Sequence, residues 1–154
     1  MVRVMATGVF DLIHLGHLHY LQEAKKLGDE LVVVVARDST VKRVKHEPIT
    51  PEAIRRDLVA ALKPVDEAIL GVEGDIFETV RRVRPDVIAL GYDQPFKEQW
   101  VEEECRRRGM PVKVVRVGRL DGNLNGTRRI VRRILEQWGA APPGEEEGDG
   151  ESEG

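Results

Sequence analysis

Apolar residues come in short dense runs, separated by stretches in which they recur at helical spacing. Val2 to Thr7 reads as a short buried strand. Leu18, Leu21, Ala24 and Leu27 then predict a helix over 16–27, which Gly28 ends. Leu31 to Ala36 is a continuous, mostly β-branched run, as expected of a central parallel strand buried on both faces. Residues 37–48 are polar and basic and read as a long connection. Thr50 and Pro51 predict an N-cap and a first helical position, with the helix running to about Leu62. Val65 to Leu70 is a further strand. Asp75, with Glu78 three residues on, predicts a capped helix that ends before Pro85. Asp86 to Gly91 reads as a strand, and 96–108 as a charged helix with Trp100, Val101 and Cys105 inward and Gly109 as its stop. Val112 to Val117 is the last strand. Thr127 to Trp138 is a helix with Ile130, Val131, Ile134 and Leu135 on one side.

Strand and helix alternate five times. That order predicts an α/β fold: one domain over 1–139, with a five-stranded parallel sheet and helices on both faces. Residues 140–154 lack apolar side chains to bury and are expected to be a disordered acidic tail. Its six acids account for the formal charge of −3; the domain itself is mildly basic, which suits a small anionic ligand better than nucleic acid. Cys105 is the only cysteine, so no intramolecular disulfide is expected. No apolar run reaches the roughly 18 residues of a membrane span, and the N-terminus starts directly in a strand pattern. These features point to a cytoplasmic protein with no membrane partner.

The chemistry concentrates in Gly8-Val9-Phe10-Asp11-Leu12-Ile13-His14-Leu15-Gly16-His17. A strand that turns through glycine into a helix presents backbone N–H groups to phosphate. Gly16 allows close backbone approach, and His14 and His17 can aim ring nitrogens at anionic oxygens. Zinc fits poorly, because helical zinc pairs are usually spaced i, i+4 and need a third ligand; no residue is assigned to a metal. Asp11 either orients a histidine or shapes the turn. Lys42, Arg43 and Lys45 lie beyond a central strand, where open α/β sheets bind ligands. One lysine, Lys42 or Lys45, is a candidate polyphosphate clamp. Asp93, in Gly91-Tyr92-Asp93-Gln94, lies on the same rim. Asn125-Gly126-Thr127 offers either phosphate donors or a plain helix cap. Neither the dinucleotide fingerprint nor the P-loop occurs.

As an ordered set these residues resemble the cytidylyltransferase-like nucleotidyltransferases. The resemblance runs through Ala24 to Asp29, Arg55-Arg56, Val65-Asp66-Glu67, Gly91 to Gln94 and Asn125-Gly126-Thr127, covering nearly all of 2–138. Within that group, Ala36 to Thr40, Ala89 to Gln94 and Leu124 to Thr127 look most like archaeal-type enzymes that transfer AMP from ATP to FMN. The resemblance implies a Rossmann-like fold of the His-x-Gly-His type, a divalent metal, which is expected to be Mg²⁺, and often a homodimer. It implies that His14 and His17 contact the nucleotide phosphates, that Val9 and Phe10 line the nucleotide, and that Asp93 touches it. Nucleotide contacts are expected along Leu15, Gly16, Asn125 and Thr127, and catalytic roles for His14, His17 and Lys42 or Lys45. Val9 stands where glycerol-3-phosphate cytidylyltransferases usually carry Thr, and Gln94 stands where they carry a base-recognising Trp. These departures favour ATP. Cytidylyl transfer from CTP to a small phosphate is the nearest alternative, and a nucleotide-binding module without turnover is the alternative of another class.

Overall fold

A computed structural model describes residues 1–44, 47–121 and 126–139. Strands β1 (Arg3–Gly8), β2 (Glu30–Val35), β3 (Glu67–Leu70), β4 (Val87–Leu90) and β5 (Lys113–Arg116) form one sheet in the order β3-β2-β1-β4-β5. Every pairing is parallel. The helices are α1 (Leu15–Lys25), α2 (Asp38–Val44), α3 (Glu52–Ala60), α4 (Ile76–Val83), α5 (Glu98–Arg107) and α6 (Thr127–Trp138).

The β2 run shows why the sheet is covered twice. Leu31, Val33 and Val35 pack in one cluster with Leu21 and Ala24 of α1 and Val59 of α3. Val32 and Val34 pack in the other with Phe77, Val80 and Val83 of α4 and Val101 and Cys105 of α5. Successive strand residues point to opposite faces, so each face has its own core. The chain steps outward from β1 through β2 to β3, then returns to the other side of β1 as β4. The carboxyl ends of β1 and β4 therefore flank the topological switch point, where open α/β sheets hold ligands.

Several local expectations are corrected. Residues 38–44 form α2 rather than plain connection. Val41 is buried, Asp38 stands in the first turn and Lys42 and Arg43 in the last, charges that suit the helix dipole. Gly28 is not a left-handed helix stop. A Cβ there would meet the Val2 carbonyl oxygen at 2.7 Å, so glycine is needed because β1 passes so close. Pro51, not Thr50, is the N-cap of α3, and it makes no side-chain cap bond. Asp75 caps α4 by accepting from the Phe77 N–H, whereas Glu78 pairs with Arg81 instead of completing a box. Trp100 is half-exposed, edge-on to Phe77 and stacked on Phe96; only Val101 and Cys105 of the expected inward set are buried. Gly109 does close α5, with φ +78°.

No residue of α6 is buried. Among the described residues no helix is long and apolar enough to cross a membrane. The acidic tail at 140–154 lies outside the described residues.

Candidate active site

The turn from β1 into α1 is wound tightly. The Phe10 ring folds back over Gly8, where a Cβ would stand 2.8 Å from it. Phe10 and Leu12 both adopt φ of 57°, a left-handed conformation that costs non-glycine residues about 1–3 kcal/mol each. Asp11, between them, holds the turn. Its carboxylate accepts from the backbone N–H groups of Ile49 (2.7 Å) and Thr50 (3.0 Å) and from the Thr50 hydroxyl (2.7 Å). Its carbonyl accepts from the Thr127 hydroxyl at 3.2 Å. Burial pushes the Asp11 carboxyl up, but the bonds from Thr50 and Ile49 and the nearby Arg55 charge outweigh it and hold the group below its ordinary range.

Arg55 braces the turn from beneath. Its side chain is fully buried, and its guanidinium donates to the carbonyls of Thr50, Val9 and Ala36, each at 2.8 Å, and to Asp38 at 2.6 Å. A buried charge survives only when paired and hydrogen-bonded in this way. One residue of α3 thereby locks the carboxyl ends of β1 and β2 together.

His14 is the N-cap of α1. Its Nδ1 accepts from the Gly16 N–H at 3.1 Å, and its own backbone N–H donates to His17 Nδ1 at 3.3 Å. The two rings stack at 3.8 Å, with Phe10 5.2 Å from His17. Because both Nδ1 atoms accept, each neutral ring carries its proton on Nε2, the nitrogen remote from the backbone it caps. Burial lowers the pKa of His14, and the neighbouring Asp93 charge opposes this only in part. The site thus sets ring Nε2–H donors at a helix N-terminus, whose dipole favours anionic oxygens.

The other expected positions separate into three groups. Asp93 and Thr127 join the histidines, Asp93 through the electrostatics of His14 and Thr127 through Asp11. Val9 is half-buried with its carbonyl on Arg55, Leu15 is exposed, and Gly16 donates to His14. The Phe10 ring is buried in the core, so what Phe10 presents outward is backbone. Lys42 lies on α2 in an exposed ion pair with Glu47 at 3.2 Å. Lys45 and Asn125 lie outside the described residues. Gln94 turns its carboxamide toward β1, onto Thr7 and the Gly91 N–H. Sequence reasoning gave Arg55 no role. The signal was its spacing, since Arg55 stands four residues before the buried Val59, on the inward side of α3.

The sequence profile of the cytidylyltransferase-like family matches residues 5–139. An FAD synthase of Aciduliprofundum boonei is 62% identical over 138 residues, 89% of this chain and 93% of that protein. An FAD synthase of Thermoplasma volcanium is 54% identical over 139 residues, 90% of this chain and 98% of that one. A crystal structure of a Thermoplasma volcanium protein, described as a lipopolysaccharide core biosynthesis protein, superposes with a TM-score of 0.77 at 57% identity, over 79% of this chain and 99% of that one. With the His14–His17 cap set at the switch point of a five-stranded parallel sheet, these likenesses show that the chain belongs to the cytidylyltransferase-like family.

Proposed function

We propose that the chain transfers AMP from ATP to FMN, forming FAD and pyrophosphate. A phosphate oxygen of FMN attacks the α-phosphorus of ATP, the bond to the bridging oxygen of the β-phosphate breaks, and pyrophosphate leaves with that electron pair. The FMN phosphate is ionised at neutral pH, so no strong base is needed. Catalysis is alignment and charge neutralisation. The reciprocal His14–His17 cap carries the reading, because it makes both rings Nε2–H donors beside the α1 N-terminus. The names of the relatives support FMN as acceptor and ATP as donor.

A lysine, Lys42 or Lys45, neutralises the β- and γ-phosphates in this reading. The exposed Lys42–Glu47 pair is of a kind worth about 0–1 kcal/mol, so Lys42 is easily released. Among the described residues no group of three or more His, Cys, Asp or Glu is placed to hold a metal. Mg²⁺ usually takes one or two carboxylates and completes its shell with phosphate oxygens and water. Asp93, exposed on the rim near His14, is the carboxylate that would hold it. When bound, the ion neutralises charge on the phosphate oxygens. A second copy of the chain is the partner we propose for the exposed apolar side of α6, and the cytoplasm the compartment.

Pyrophosphate release, followed with ATP or CTP against FMN or glycerol-3-phosphate, tests the reading. ATP with FMN should be the productive pair. Release with CTP and glycerol-3-phosphate alone would assign cytidylyl transfer instead.

A further inference from the structure

Parallel strands are stitched by evenly spaced rungs, each residue that faces its neighbour both donating and accepting. Arg3 faces β4, its carbonyl accepting from the Asp86 N–H, and Gly8 faces β2, its carbonyl accepting from the Ala36 N–H. Thr7 therefore faces β4. The β1–β4 register ends at Ala6↔Ala89, which places Thr7 opposite Leu90. At this end two side chains enter the ladder. The Tyr20 hydroxyl accepts from the Thr7 N–H at 3.1 Å and donates to the Ala89 carbonyl at 2.6 Å. One step on, a continued ladder would bring the Gly91 N–H to the Thr7 carbonyl. Instead the Gly91 N–H donates to Gln94 Oε1 at 2.8 Å, and Gln94 Nε2 donates to the Thr7 carbonyl at 3.2 Å. A whole carboxamide occupies the place of one hydrogen bond.

We propose that Tyr20 and Gln94 are positioning residues of the nucleotide site, which end the β1–β4 ladder and hold its carboxyl ends apart at the width that admits the nucleotide. The crevice they brace is the switch point itself. Each also anchors part of the site. Tyr20 follows His17 by three residues in α1, so its hydroxyl fixes how that helix seats on the strand ends. Gln94 closes the turn that carries Asp93, its backbone N–H donating to the Gly91 carbonyl at 3.2 Å. Arg116 of β5 clamps the same turn, donating to the carbonyls of Gly91 and Gln94 at 2.8 Å each. Burial pushes the Tyr20 phenol up, so it stays a neutral hydroxyl able to donate and accept at once. With Leu at position 94 the missing rung is free to form, and the crevice narrows.

The choice of ATP as probe rests on the proposed function. The test compares wild type with Tyr20→Phe and Gln94→Leu by calorimetric titration with ATP, and separately with CTP, at a temperature far below each melting point. For the nucleotide the wild type binds, Kd should rise about 10- to 100-fold in each variant, as expected when small displacements misplace binding groups. A purely structural role would lower the melting temperature and leave Kd unchanged. If Tyr20→Phe does not fold, Gln94→Leu decides alone. A Kd within about twofold of wild type in the folded variants overturns the assignment. A wild type that binds CTP and not ATP overturns the donor reading, and the Kd ratio for CTP then decides the positioning claim. A wild type that binds neither overturns both.

Discussion

Protonating His14 removes the acceptor that caps α1. Burial keeps its pKa below the ordinary 6.5, so the unfolded chain takes up the proton first as pH falls below that value. Stability is then complete above about pH 6.5 and declines from there toward the folded pKa. The melting temperature should fall across that window in wild type and less steeply in His14→Asn, which keeps a capping acceptor without a titrating ring. Equal slopes would contradict the capping role. His17→Ala should lose turnover by about 10²–10³ as a phosphate donor is removed, while the lost cap costs only about 1 kcal/mol. That His14 and His17 open α1 and that Asp93 lies on the same rim was legible, because each follows directly on a strand end; Asp93 comes within electrostatic reach of His14. Arg55 and Tyr20 were not legible: a buried arginine in Arg55-Arg56-Asp57 looks like any charged helix surface, and a helical tyrosine looks like core. Their roles depend on which carbonyls lie opposite, and only the folded chain shows that.

Elements built on continuous or strictly periodic apolar runs, such as β2 and α4, were legible with small errors at their ends. α2 was not, because its one buried side chain among those described, Val41, leaves no periodicity to read. The glycines divided in the same way. Gly109 serves its helix, whereas Gly28 serves a neighbouring strand that sequence spacing cannot reveal. Gly28→Ala should destabilise by about 1–3 kcal/mol through overpacking, seen as a lower urea midpoint with unchanged slope. Arg55→Met should cost more, about 3–5 kcal/mol, because it leaves buried carbonyls and the Asp38 carboxylate without their partner. A loss below 1 kcal/mol, on the scale of an exposed ion pair, would mean that Arg55 does not lock the strand ends.

At the scale of the molecule, the sheet places the His14–His17 cap at one end and leaves α6 with its apolar side uncovered. Val131, Ile134, Leu135 and Trp138 are 36–59% exposed. If a second copy covers them, sedimentation should show a dimer that Ile134→Glu with Leu135→Glu splits; a wild-type monomer at micromolar concentration would rule that partner out. The alternation of strands and helices made the sheet and its two cores legible, but not the bracing at the switch point. Transfer of the α-phosphorus of ATP to FMN can be followed in the fate of that one atom. With ATP labelled at the α-phosphorus and unlabelled FMN, the label should appear in FAD, while the pyrophosphate formed stays unlabelled. Labelled AMP without FAD, or label entering product only from CTP, would mean that the chain does not adenylylate FMN.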